Sequence, residues 1–331
     1  CAAGVCFMFL ISLNRCLRKV NWFKINRITE PNLIEYLDLV SLGTVCDVVP
    51  LTGLNRAIVK QGLKILKTRK NLGLKTLLDI CKVETTPTPY HLGYILGPRI
   101  NAGGRVGKCS HGANLLLNCN VKDAFLLASE LESYNKERQI LEKEILKKAI
   151  KEAFKINDPV IILSGTNWHE GVIGIIASRI KEKFNKPTII ISKNDNIAKA
   201  SARSVTGFDI GSVIIAAVQS QILLKGGGHK MAGGFSLSVD KIPELKEFII
   251  KKYNSLKIDI TKEKNIYIDS VIAPTALNLD FFNKVNTLAP FGSGNSEPKF
   301  GIEDVRPINS KIVAEKHIKS ILLGADGTTI K

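Results

Sequence analysis

None of the seven cysteines forms a C-x-x-C pair, and seven is an odd number from which no even framework can be drawn. That excludes a disulfide scaffold and a zinc ribbon, leaving the thiols as small apolar fillers in a reducing compartment, which points to the cytoplasm. Long hydrophobic runs are also missing. The apolar opening stretch, residues 1–13, is too short to span a bilayer and is followed, not preceded, by Arg15, Arg18 and Lys19. It reads as a core helix rather than a targeting segment or an anchor, so no membrane association is expected. Acidic residues are scarce: 30 Asp and Glu stand against 47 Lys and Arg, a formal net charge of +17. A field of that sign favours polyanionic partners, either nucleic acid or an anionic membrane surface. A general Lys- and Ile-rich bias accounts for part of the excess. There is no internal repeat, no low-complexity segment and no Met at position 1, and sequence upstream of Cys1 is expected.

A chain of 331 residues with 45% apolar composition can bury cores for two or three domains. Residues 1–121 show mixed texture: the opening helix, an apolar segment at 36–50, a helical stretch at 56–68, then a turn-rich passage holding Pro87, Pro89, Gly97, Pro98, Gly103 and Gly104. Residues 122–155 contain no Pro or Gly and place Ala124, Leu127, Leu131, Tyr134, Leu141 and Ile145 at spacings of three and four, which predicts one long helix. Arg138 falls on that stripe, either directing a cation toward a cleft or letting its stem snorkel past the core. After Pro159 the pattern becomes strand (160–163), helix (171–184) and strand (188–192), a βαβ unit, with a further helix at 243–256. From 257 onward short apolar strands and turn signals predict a small β-domain.

Three groups of residues could carry chemistry. Leu37-Asp38-Leu39-Val40 and Val45-Cys46-Asp47-Val48 set two carboxylates in apolar surroundings, where a buried acid needs a hard divalent cation or an Arg or Lys as partner. Gly97-Pro98-Arg99-Ile100-Asn101-Ala102-Gly103-Gly104-Arg105 places two guanidinium groups around a tight glycine turn, either a phosphate-contacting loop or an ordinary surface turn. The third group is Trp168-His169-Glu170-Gly171, Ser201-Ala202-Arg203 and Gly226-Gly227-Gly228-His229-Lys230. Its three successive glycines suit a backbone N–H nest for an anion. Walker spacing is missing, and no second His completes a zincin motif after His169-Glu170.

In this order, and together with Ala289-Pro290-Phe291-Gly292-Ser293-Gly294-Asn295, these segments resemble the RecJ family of single-strand-specific 5′→3′ exonucleases in the DHH phosphoesterase superfamily. The resemblance spans nearly the whole chain. It implies an α/β protein made of the C-terminal part of a DHH catalytic domain (1–121), a long linking helix (122–157), an α/β DHH-associated nucleic-acid-binding domain (158–256) and a partial OB-fold domain (257–331). It implies Asp47 as a catalytic metal ligand for Mn2+ or Mg2+, with Asp38 a weaker match. By the same resemblance Ser201, Arg203, Gly226, Gly227, Gly228 and His229 hold a 5′-phosphate, while Arg99, Asn101 and Arg105 contact the nucleic-acid backbone. The implied partner is single-stranded DNA, in repair and recombination, alongside a repair helicase or a single-strand-binding protein. Oligomeric state is not legible.

The family's Asp-x-Asp cluster, its further Asp and the Asp-His-His signature have no counterpart in these residues. Both ends are expected to be cut: Cys1 falls where the helix after the last of those motifs would start, and the tail stops before an OB barrel would close. The intact enzyme is expected to hydrolyse phosphodiester bonds with two metal ions about 4 Å apart. Two other readings stay open. One is a catalytically dead fragment that only binds 5′-phosphorylated single strands, and the other a DHH phosphodiesterase for short oligonucleotides or cyclic dinucleotides.

Overall fold

The apolar opening stretch folds into α1 (Ala2–Lys19), followed by α2 (Trp22–Ile25), α3 (Leu37–Cys46), α4 (Gly53–Lys67) and α5 (Leu72–Ile80). The computed structural model describes residues 1–256, 266–315 and 317–330. α1 is not the core helix expected: only Phe7 is buried, and Val5 and Phe9 are 71% and 65% exposed. A helix apolar on every side has one face for Leu37, Val40 and Ile58, so the other faces stay uncovered among the described residues. α3 and α4 touch closely at Gly62, where an added Cβ would lie 1.9 Å from the Ser41 hydroxyl oxygen and 2.2 Å from the Leu37 carbonyl oxygen. Ser41, fully buried, donates to the Ile58 carbonyl at 3.1 Å, satisfying its hydroxyl inside the contact. A π-helical turn, His91–Leu96, follows α5.

Next come α6 (Gly97–Val106), α7 (Ser110–Leu117) and α8 (Val121–Ala153). The segment Gly97 to Arg105 is therefore a helix and not the tight turn expected. Pro98 lies just past the π-helical turn in a helical segment that runs on from Pro89, and Gly103 is required because a Cβ there would lie 2.6 Å from the Lys108 carbonyl oxygen. α8 is the predicted long helix, 33 residues, started by the Asn120 side chain accepting from the Lys122 and Asp123 N–H groups. Its length follows from an unbroken run of helix formers with apolar residues three and four apart.

A five-stranded sheet follows: β1 (Ile161–Thr166), β2 (Thr188–Asn194), β3 (Ile197–Arg203), β4 (Lys225–His229) and β5 (Ala232–Ser238), in the order β1-β2-β3-β5-β4. Only β1 and β2 are parallel, joined through α9 (Glu170–Phe184) as the expected βαβ unit. α10 (Ile210–Gln219) and α11 (Ile242–Ser255) cover one face through Ile210, Ile214, Leu245 and Ile249. On the opposite face α9, with α8, packs Ile173, Ile176 and Ile180 against Ile161, Leu163 and Ile190. That cover ends over β3, so the second face of β5 and β4 stays open.

The tail holds β6 (Ser270–Val271), α12 (Leu279–Asn286), β7 (Phe300–Gly301), β8 (Val305–Val313), β9 (His317–Gly324) and β10 (Thr329–Ile330). β6 pairs parallel with β7, and β10-β9-β8 form an antiparallel meander with a bulge between Ile308 and Lys311. The chain divides into two compact units, Pro98–Glu263 and a discontinuous one made of Cys1–Gly97 with Lys264–Lys331. Residues 98–121, grouped by sequence with the first domain, thus fall in the continuous unit, and the expected tail boundary at 257 lies outside the described residues. Inside the discontinuous unit the Leu51 N–H donates to the Ser293 carbonyl at 2.6 Å, and the Arg56 guanidinium donates to the Leu288 carbonyl. No helix among the described residues is long and apolar enough to cross a membrane.

Candidate nucleic-acid interface

The open half of the sheet is the floor of a cavity of about 1040 Å³ within the continuous unit. Pairing sets its composition, because directly opposed residues on neighbouring strands share a face. Lys199, Ser236 and Lys225 form one row, Ser201, Gly234 and Gly227 the next, and Arg203, Ala232 and His229 the third. The middle row is nearly bare backbone. Gly227 has no heavy atom within 4 Å of where a Cβ would stand, so it opens onto empty space. Gly226 points the other way, where a Cβ would lie 2.7 Å from Phe235 and 2.8 Å from Ile214 of α10. The three successive glycines are thus a flat strand, one wedged under a helix and the next bare to the cavity, and not the curved nest expected. Extended backbone exchanges its N–H groups with the neighbouring strand and cannot converge them on an anion.

One wall is the start of α9, with Glu170, Gly171 and Gly174 lining it. His169 caps that helix, its Nδ1 accepting from the Gly171 N–H at 3.1 Å. The positive end of the helix dipole therefore faces the cavity. α6 supplies another wall with Asn101, Gly104 and Arg105. The two helices meet at Gly171, where a Cβ would lie 2.3 Å from the Arg105 carbonyl oxygen, and Arg105 Nη1 donates to the Gly171 carbonyl at 2.9 Å. Arg203 Nη1 donates to Ser201 Oγ at 3.1 Å and to the Ala202 carbonyl at 2.8 Å. Gly174 leaves room for both: a Cβ there would lie 3.2 Å from Ser201 Oγ and 3.3 Å from Arg203 Nη2.

Four cations, Arg105, Lys199, Arg203 and Lys225, line the cavity against one carboxylate, Glu170, which is engaged with Lys199 at 2.6 Å and with Asn194 at 3.2 Å. Burial, then the Arg105 charge, lowers Arg203 from the usual guanidinium range. Burial, then the Arg138 charge, does the same to Arg105, with Glu142 opposing. Both remain cations at any physiological pH; burial first, and a neighbouring guanidinium second, disfavour each charge, and an anion seated between them would offset both. Arg138 is 11% exposed and held inside the fold by Glu142 at 2.8 Å and Asn135 at 3.0 Å, so its charge is buried instead of snorkelling to solvent. The arrangement can seat a phosphate-sized anion between two planar guanidinium forks.

Of the residues singled out by sequence, Asn101, Arg105, Ser201, Arg203, Gly226 and Gly227 line this one cavity. Arg99 does not; its Nε donates to Glu132 at 2.6 Å, with both side chains largely buried. Gly228 and His229 are outside the lining as well, and His229 Nδ1 accepts from the Met231 N–H at 3.3 Å. Lys199 and Lys225 were missed, although two-residue strand alternation from Ser201 and Arg203 reaches Lys199 directly. Asp47 belongs to the other unit, exposed at the end of α3. Asp38 is 2% exposed, and its carboxylate accepts the Leu39 N–H at 2.7 Å. No group of three His, Cys, Asp or Glu that could hold a metal ion occurs among the described residues. These residues by themselves do not fit a two-metal centre.

Residues 157–255 match the DHHA1 domain, and residues 268–331 match the RecJ OB domain. The chain is 33% identical over 327 residues to the single-stranded-DNA-specific exonuclease RecJ of Escherichia coli (strain K12), covering 96% of this chain and 56% of that protein. It is 32% identical over 301 residues to the protein of the same name from Thermus thermophilus, covering 90% of this chain and 41% of the relative. Among solved structures, RecJ from Thermus thermophilus in complex with Mn2+ matches with a TM-score of 0.78 at 29% identity, over 93% of this chain and 45% of that one. The corresponding complex with Mg2+ matches with a TM-score of 0.77. The chain spans about half the length of these relatives. With this coverage, and with both domains recognised, the chain is a RecJ-family homologue that corresponds to part of RecJ and carries its DHHA1 and OB domains.

Proposed function

We propose that this chain supplies the strand-holding part of a single-strand-specific 5′→3′ exonuclease of the RecJ type, and that the cavity on the open sheet takes the 5′-phosphate end of single-stranded DNA. The observation that carries this is the Arg105 and Arg203 pair set over the bare Gly227 and Gly234 floor, at the positive end of α9. Two guanidinium forks match a terminal phosphate dianion better than an internal diester. The side-chain-free floor lets the strand end approach without selecting a base. The exonuclease activity for which the relatives are named, and the Mn2+ and Mg2+ in their structures, support a metal-dependent hydrolysis in which Asp47 is one metal ligand. Asp47 has no second and third ligand grouped with it among the described residues, so these residues alone do not complete a metal centre.

The test is equilibrium binding of short single-stranded oligonucleotides carrying a 5′-phosphate, a 5′-hydroxyl or a 3′-phosphate. The 5′-phosphorylated strand should bind most tightly, and Arg203→Ala should remove that preference at a cost of about 1.5–3 kcal/mol, the usual worth of hydrogen bonds to charged groups. Equal affinity for all three strands would overturn the reading. A binding-only role is favoured by the isolation of Asp47, and it predicts that this chain shows the same end preference yet no turnover in Mn2+.

A further inference from the structure

A second cleft lies wholly within the discontinuous unit. Pro89 and Tyr90 open a helical segment that passes into the π-helical turn at His91–Leu96. Leu92 and Leu96 are fully buried, and the glycine edge of the turn packs on the end of α3. A Cβ at Gly93 would lie 3.3 Å from Val45 Cγ1, and one at Gly97 only 2.5 Å from Cys46 Sγ. With that edge committed inward, Tyr90 and Tyr94 are turned out, 60% and 74% exposed. Their rings stack on each other, centroids 5.3 Å apart and planes at 23°. Facing them is the loop Ala289-Pro290-Phe291-Gly292-Ser293, pinned by the Leu51 to Ser293 hydrogen bond and by Asn295 donating to the Pro290 carbonyl at 2.9 Å. The enclosed cleft measures about 710 Å³.

Its end wall is Val48, 69% exposed and at φ 55°. Val48 N–H donates to the Val45 carbonyl at 3.1 Å and Val49 N–H to the Thr44 carbonyl at 3.2 Å, the paired bonds of a Schellman cap. Glycine is the usual residue at that left-handed position, and a β-branched side chain there is strained. The cap holds an apolar side chain out into the cleft beside Asp47. In a chain with a net charge of +17, the one charged side chain among the described residues lining this cleft is Glu297. A cleft without cations is not built for a phosphate. Stacked phenol rings, an apolar end wall and the hydroxyls of Thr88, Ser293 and Ser296 suit a flat, uncharged ring with polar edges.

We propose that this cleft is a nucleobase-stacking subsite for single-stranded DNA, with the Tyr90 and Tyr94 pair as its platform. It rests on the reading of the chain as a single-strand binder and adds a place where a base, not a phosphate, is held next to Asp47. Base stacking on an aromatic side chain is tolerant of sequence, so the subsite grips any strand.

The test compares binding of a short oligothymidylate and its abasic counterpart, with the chain as it stands and with three variants. Removing both rings in Tyr90→Ala/Tyr94→Ala should weaken oligothymidylate binding about tenfold or more. It should leave abasic binding unchanged and leave the salt dependence as steep as before, because no phosphate contact is lost. Tyr90→Phe and Tyr94→Phe keep the rings and should keep the affinity, which separates stacking from a general effect of mutation. The subsite is overturned if the double alanine variant still discriminates against the abasic strand, or if it weakens both strands equally. Failure of the unmodified chain to bind either strand overturns the single-strand reading itself, and the subsite with it.

Discussion

At the scale of single residues, burial of Asp38 makes a prediction that is independent of any ligand. Desolvation raises its pKa above the ordinary carboxylate value, with the Leu39 N–H hydrogen bond opposing. Between the unfolded value, near 3.9, and the raised folded value, the native state holds the proton more tightly than the unfolded chain does. Stability contributed at this position is therefore fully present at low pH and is lost as pH rises through that window. Asp38→Asn should raise the denaturation midpoint at pH 7 and lose its advantage below about pH 4. A lower midpoint at pH 7 would instead mean that the carboxylate has a charged partner. Residues were unevenly legible. Ser201 and Arg203 are legible by residue type and by the resemblance that singles them out, whereas a glycine triplet carries no conformational preference of its own. Only the pairing partners reveal that Gly226 faces α10 while Gly227 faces the cavity.

Among the elements, α9 shows how stability and binding can be pulled apart. Gly174 lies inside the helix, where alanine is favoured by about 1 kcal/mol. Its added methyl would press on Ser201 Oγ and Arg203 Nη2, both side-chain atoms that can shift. Gly174→Ala should keep or raise the melting temperature while weakening binding of 5′-phosphorylated strands several-fold. Gly171→Ala should do the reverse of harmless, because its methyl meets the immovable Arg105 backbone. Thermal melts together with binding isotherms separate the two, and equal melting temperatures for both variants would contradict the geometry. α8 was readable because nothing interrupts its periodicity. α6 was not, since Gly97, Pro98, Gly103 and Gly104 are turn formers whose helical state is imposed by close packing against Lys108 and neighbouring backbone.

Across the whole molecule, the charge excess matters to binding only as far as cations reach phosphate. For a single strand each such contact steepens the slope of log K against log salt by about 0.7. Arg203→Ala should flatten that slope by about this much, while Lys67→Ala, at the exposed end of α4, should leave it unchanged. Equal flattening by both would make the charge a diffuse field instead of a site. Composition made the cation excess legible. The grouping of the tail with the first ninety-seven residues was not, because contacts such as Leu51 with Ser293 join positions far apart along the chain and leave no local pattern. That discontinuity has a consequence for biosynthesis. Pro98–Glu263 is complete as soon as it leaves the ribosome, but Cys1–Gly97 must wait for its other half. At roughly 5–20 residues per second the delay is on the order of ten seconds to a minute. Throughout it the Leu51 N–H and the Arg56 guanidinium lack the Ser293 and Leu288 carbonyls that they meet in the fold, so this part of the chain stays incompletely satisfied until residues 288–293 are made.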